Sequence, residues 1–278
     1  MSEDHLSRRA VLSAVALGLA APLVSRVVRA QETPAKQLPL HTTGLEHVSA
    51  VVPDVAAAGK FYGRLFNPEL YKEKDPPLRY YVLLNPGYIA LGSRANAAQA
   101  FFDHYCALVT DYNPAAMAEE LKAAGLAGGR FGIIPDPDTV GLQMLKDPAG
   151  LAKTTEPAGR IVEGDSLLKP HGLDAVVLRV ADLEKSAQFY RRFFSSESTP
   201  PRKGEVWFQV AGTQLGLTSA AAGQSPGVDH IRVKVASFKT REVTRELEKL
   251  GAKITRASDR HSLRFTDPLG LGVELKPV

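Results

Sequence analysis

The sequence has little of what would staple, embed or charge a protein. A single cysteine, Cys106, stands among 278 residues, so no intrachain disulfide can form and the fold must rest on packed cores. Lys and Arg exceed Asp and Glu by only 34 to 30, and they are scattered through the chain. Without a basic stripe interleaved with aromatics, nucleic-acid binding is disfavoured. Neither a Gly-rich phosphate loop nor a Ser-His-Asp order is present. One run alone looks membranous, Ala10 to Val24, and it falls short of the ~20 residues needed to cross a bilayer.

What is present begins with that run. Ser7-Arg8-Arg9 precedes it and Val28-Arg29-Ala30 follows it, with small-residue spacing for cleavage after Ala30. Paired arginines ahead of a mild apolar core resemble a twin-arginine signal, which predicts a periplasmic or secreted protein with no membrane contact once the signal is removed. That route carries folded cargo, so a metal can be loaded before export. An amphipathic N-terminal helix or a retained anchor is the alternative.

The remainder is written twice. Gly44-Leu45-Glu46-His47-Val48 returns as Gly172-Leu173-Asp174-Ala175-Val176, and Phe61-Tyr62 as Phe189-Tyr190. His104 maps to His230, Gly125 to Gly251, and Asp147-Pro148-Ala149-Gly150 to Asp267-Pro268-Leu269-Gly270. Each copy is itself double. Seven residues after His47, His104, Ala175 and His230 stand Asp54, Asp111, Asp182 and Ser237, each a good helix N-cap. Amphipathic helices are predicted over 54–66, 113–124, 182–194 and 237–250, with Gly125 and Gly251 closing the second and fourth. Short strands are predicted over 79–84, 88–92, 139–145, 205–210, 213–218 and 261–266. The expected organisation is a signal over 1–30, a polar leader over 31–43, a domain over 44–157, a linker over 158–170 and a second domain over 171–278. Its class is α+β, four βαβββ modules paired into two domains.

Leu45-Glu46-His47-Val48 with Phe61-Tyr62, Asp103-His104, Lys146-Asp147-Pro148-Ala149-Gly150, and their second-copy counterparts through Val273-Glu274-Leu275 resemble the vicinal oxygen chelate superfamily of glyoxalases, extradiol dioxygenases and bleomycin-resistance proteins. The resemblance covers nearly all of 44–277 and implies that each domain curls its sheet into a cup around one metal. It places ligands at the module-opening histidines and at a carboxylate of the final strand. A 2-His-1-carboxylate face of that kind suits Fe(II) or Mn(II).

In the first domain the implied set is His47, His104 and Glu156; counting from Asp-Pro puts Glu274 opposite Thr154, two residues short of Glu156. In the second, His230 and Glu274 remain while Ala175 replaces the first histidine, a weaker set. Tyr105 and His261 are the candidates for moving protons. Cys106 shares a strand face with His104 and is either a soft ligand or an inert buried thiol. The module-opening histidines also fit buried, hydrogen-bonded core residues. The function implied is an exported, metal-dependent dioxygenase, lyase or isomerase acting on a small molecule with vicinal oxygens. The alternative is a non-catalytic protein that sequesters a small molecule. Glyoxalase activity is disfavoured, because Ile89-Ala90-Leu91-Gly92 and Leu215-Gly216-Leu217 offer no carboxylate at the fourth strand. Four modules pair within one chain, which allows a monomer as well as a homodimer.

Overall fold

Short apolar strands that alternate with amphipathic helices can bury both only by stacking helices on one face of a sheet. The computed structural model describes Leu38 and residues 40–126, 128, 132–194, 196–197, 204–255 and 261–278; residues 34–278 form one compact unit. The expected signal lies outside the described residues.

The first half runs β1 (His41–Val51), α1 (Val55–Leu65), β2 (Glu69–Glu73), β3 (Arg79–Leu83), β4 (Tyr88–Gly92), β5 (Phe101–Thr110), α2 (Pro114–Ala123), β6 (Ile133–Pro135), β7 (Gly141–Lys146) and β8 (Thr155–Arg160). The second half runs β9 (Pro170–Val180), α3 (Leu183–Tyr190), β10 (Ser196–Glu197), β11 (Glu205–Val210), β12 (Thr213–Ser219), β13 (Gly227–Val235), α4 (Thr240–Lys249), β14 (Lys253–Thr255), β15 (Leu263–Thr266) and β16 (Gly272–Pro277). Two eight-stranded sheets result, ordered β6-β7-β5-β1-β4-β3-β2-β8 and β10-β11-β12-β9-β13-β16-β15-β14. In each, the opening strands of two modules lie side by side and antiparallel, β1 against β5 and β9 against β13.

The helices follow the local signals with two corrections. Asp54 and Asp182 cap α1 and α3, accepting from Ala57 N and Lys185 N. The helix expected to follow Asp111 is capped by Asn113 instead, because Pro114 has no N–H and fits the first helical position. Asp111 sits in a left-handed turn at φ +53°. The fourth helix starts at Thr240 rather than near Ser237, with no side-chain cap at Lys239. α1 buries Val55, Ala58, Phe61, Tyr62 and Leu65, a stripe at helical spacing. Full burial of each large aliphatic contributes about 1.5–3 kcal/mol.

Two boundaries and one strand differ from the sequence expectation. The polar leader ends earlier, since His41 and Thr42 already pair with Thr110 and Val109. The linker is shorter, because residues to Arg160 form β8. The first domain also adds a strand: β8 follows β7, the counterpart of β16, and pairs with β2 at the far edge of the sheet.

The two halves are joined reciprocally. Tyr62 of α1 donates to Asp267 Oδ2 at 2.9 Å, and Tyr190 of α3 donates to Asp136 Oδ2 at 2.7 Å. Each aspartate's Oδ1 also accepts from two backbone N–H groups of its own turn, Leu269 and Leu271 for Asp267, Asp138 and Val140 for Asp136. Asp136-Pro137 is therefore the structural counterpart of Asp267-Pro268. Asp147-Pro148 is a second occurrence of the dipeptide, and the repeat expected from it is corrected accordingly.

Candidate metal centre

The registers that set the repeat also place the ligands. His47 on β1 pairs with Cys106 on β5, and Cys106 pairs with Gln143 on β7, so the three form one row across adjacent strands. The equivalent row in the second sheet is Ala175, Arg232 and Glu274. The counterpart of Glu274 is thus Gln143, which the sequence reading missed because it anchored on the wrong Asp-Pro. His104 lies one pleat along β5, opposite Ser49.

A bulge brings a carboxylate to the row. The β1–β5 pairing skips Glu46, and two neighbouring side chains then reach the same cluster. Glu46 Oε2 lies 2.9 Å from His47 Nδ1, and Gln143 Oε1 lies 3.1 Å from His47 Nε2. The pattern repeats down the chain: Asp103 Oδ2 is 3.2 Å from His104 Nδ1, and Asp229 Oδ2 is 2.8 Å from His230 Nδ1. A carboxylate on Nδ1 fixes the tautomer that leaves Nε2 as a donor atom for a cation. Tyr88 stacks on the His47 ring at 4.5 Å, and the His104 ring meets it edge-on at 5.6 Å.

Burial sets the electrostatics. His47 and Glu46 are only 4% and 6% exposed. Desolvation lowers the His47 pKa, against the hydrogen bond that Glu46 accepts from it, and so favours the neutral ring, the form that binds metals. Burial and the nearby Glu46 charge push the Cys106 thiol up. Burial does the same to Tyr88. Ligand atoms of Glu46, His47 and Cys106 all lie within 4.8 Å of one another. Glu46, His47 and Cys106 form one buried cluster, with the Gln143 carboxamide on His47 Nε2 and the half-buried His104 ring alongside, a donor set that fits a divalent cation.

Three expected site residues fall elsewhere. Glu156 is on the edge strand β8, ion-paired with Lys72 at 3.3 Å on the surface, and does not join the histidines. Tyr105 neighbours His104 in sequence, but the pleat turns it into the core beneath the helices, where its buried hydroxyl lies beside Tyr190. His261 lies in the bend before β15, not in a strand, and borders a surface hollow of the second domain with Ser237, Thr240 and Val278.

The second cup differs in kind. His230 Nε2 and Glu274 Oε2 are brought to 3.3 Å. With Ala175 leaving space, the Arg232 guanidinium crosses it to Asp174 and Gln214 and lies 5.4 Å over the Trp207 ring. Lys276 and Lys234 reach the same Asp174, at 3.1 and 3.7 Å. A fixed cation in the middle of the row opposes a second one.

Residues 175–275 match the model of a glyoxalase-like domain. Among solved structures, the Mn(II)-bound glyoxalase from Novosphingobium aromaticivorans superposes with a TM-score of 0.62 at 14% identity, covering 85% of this chain and 82% of that one. A catechol 2,3-dioxygenase gives 0.61 at 16% identity, covering 85% and 88%. A variant of 4-hydroxymandelate synthase from Streptomyces coelicolor gives 0.58 at 12% identity, covering 84% and 92%. No curated protein matches the sequence.

Proposed function

We propose that this chain, whose second domain is glyoxalase-like, is a member of the vicinal oxygen chelate superfamily with a metal-dependent activity on a small molecule with two adjacent oxygens, centred on the first-domain cup. The observation that carries this reading is the pair of carboxylate-backed histidines, His47 and His104, with Gln143 completing the face. His47, His104 and Gln143 would hold a divalent ion of the Fe(II) or Mn(II) kind, with Glu46 and Cys106 beside them. Such an ion supplies Lewis acidity and an orienting chelate for both substrate oxygens.

The chain's own residues do the rest. Glu46 and Asp103 hold the imidazoles in the required tautomer, and Tyr88 fixes the His47 plane by stacking. Enclosure of Glu46 and His47 excludes water and strengthens every electrostatic contact made there. A second reading, sequestration without turnover, draws support from Gln143, a neutral donor where the sister domain has Glu274.

Metal analysis of the purified chain tests the proposal. About one transition-metal ion per chain is expected, as is its loss in His47→Ala. A metal-free native protein, or unchanged content in His47→Ala, would defeat it. Turnover of catechol by the metal-loaded chain separates the two readings, since sequestration gives binding alone.

Export by the twin-arginine route is part of the proposal, supported by Arg8-Arg9 before Ala10 to Val24. Arg8→Lys with Arg9→Lys should then leave unprocessed protein in the cytoplasm. Normal processing of that double variant would refute the route.

A further inference from the structure

The proposed centre is covered by the chain's own backbone. β7 ends at one side of the first sheet, and β8 begins four strands beyond β1, at the opposite edge. Residues 147–154 connect them across the face that bears His47 and Tyr88. Their contacts trace that path. Gly150 N–H donates to Glu46 Oε1, whose other oxygen backs His47. The Leu151 side chain packs on Tyr81, Tyr88 and Ala90, beside Tyr71 and Leu83. Lys74 then takes over, its Nζ on Lys153 O at 2.8 Å and its N–H on Thr154 O at 2.9 Å.

The crossing is lightly held. Pro148, Gly150, Ala152, Lys153 and Thr154 are exposed, and Leu151 alone reaches the aromatic cluster from this segment. Beneath it the walls suit a flat apolar group: Tyr88 already stacks on His47, and Tyr81 meets Tyr88 edge-on at 5.5 Å. Aromatic faces and edges arranged this way favour another ring over a polar ligand. Among the described residues the second domain shows no such crossing, and β16 lies beside β13.

We infer that residues 147–154 are a displaceable strap, and that Leu151 occupies the subsite of an aromatic or similarly flat apolar part of the ligand. Ligand binding would exchange Leu151 for that group and release Gly150 from Glu46. This deepens the proposed function by naming a substrate class and a gate, and rests on it only in calling the occupant a ligand of the metal centre.

The single cysteine makes the test direct, because Cys106 lies under the strap, in the His47 row, fully buried. The full chain, stripped of metal by a chelator, is reacted with an aromatic disulfide reagent, and the rate of Cys106 modification is followed. Leu151→Ala should speed it about tenfold through local opening. Leu247→Ala, a core truncation in α4 of the other domain, controls for global unfolding and should leave it nearly unchanged. In parallel, p-cresol should bind Leu151→Ala about tenfold more tightly than the native chain and protect its Cys106. Equal rates in Leu151→Ala and the native chain, or equal acceleration by Leu247→Ala, would overturn the strap. Failure of p-cresol to bind Leu151→Ala more tightly would overturn the subsite. Neither readout depends on a bound metal, so a failed metal analysis leaves both interpretable.

Discussion

Gln143 is the residue on which the chemistry turns. Its equivalent, Glu274, would bring a full negative charge to the row; the carboxamide brings only a dipole. A hard divalent cation gains most from charged oxygen donors. Gln143→Glu is therefore expected to tighten metal binding by about one to two orders of magnitude, read by calorimetric titration of the apo chain with Mn(II). Unchanged or weaker affinity would show that Gln143 is no ligand. The same residue marks the limit of reading the sequence. His47 and His104 stood out because both open modules of a visible repeat. Gln143 did not, because a glutamine carries no ligand signature and two Asp-Pro dipeptides, at 136 and 147, compete for one alignment position. The hydrogen bonds of Asp136 with Tyr190 and with its own turn, together with the strand registers, decide between them.

At the scale of elements, local chemistry was legible and pairing was not. Apolar alternation locates β3, β4, β11 and β12 to within a residue or so, since buried strand faces demand it. Helix starts moved where a second capping signal was better, as Asn113-Pro114 outcompetes Asp111. The bulge at Glu46 leaves no mark in the sequence, because a bulge is a property of two strands in register. The same holds for β8. Ala158 to Arg160 reads as the start of a linker, yet it continues the strand from Thr155 because the edge of β2 offers unpaired backbone groups. Glu156 is implied as a ligand only by counting from Asp147-Pro148, which is not the counterpart of Asp267-Pro268. Its true neighbour is Lys72.

At the scale of the whole molecule, duplication supplies both the shape and the adhesive. Two buried tyrosine–aspartate bonds, related by the repeat, tie each domain's first helix to the turn before the other domain's last inward strand. A buried hydrogen bond to a charged partner is worth about 1.5–3 kcal/mol. Tyr62→Phe is accordingly expected to destabilise the whole chain by that order, measured as a lowered urea midpoint; a loss near zero would show the bond to be redundant. Acidity gives an independent check. Burial raises the Asp267 pKa above its ordinary value, against the hydrogen bonds from Leu271 N–H and Tyr62. A carboxyl whose folded pKa is raised holds its proton more tightly in the native state than in the unfolded one. Its contribution to stability is therefore greatest below the unfolded pKa and declines as pH rises from there through the folded value. Asp267→Asn, which cannot ionise, should flatten that part of the stability profile above pH ~4 while Asp136 retains its own. An undiminished slope in the variant would place the titration elsewhere and leave the Tyr62 bond as a purely geometric tie between the two halves.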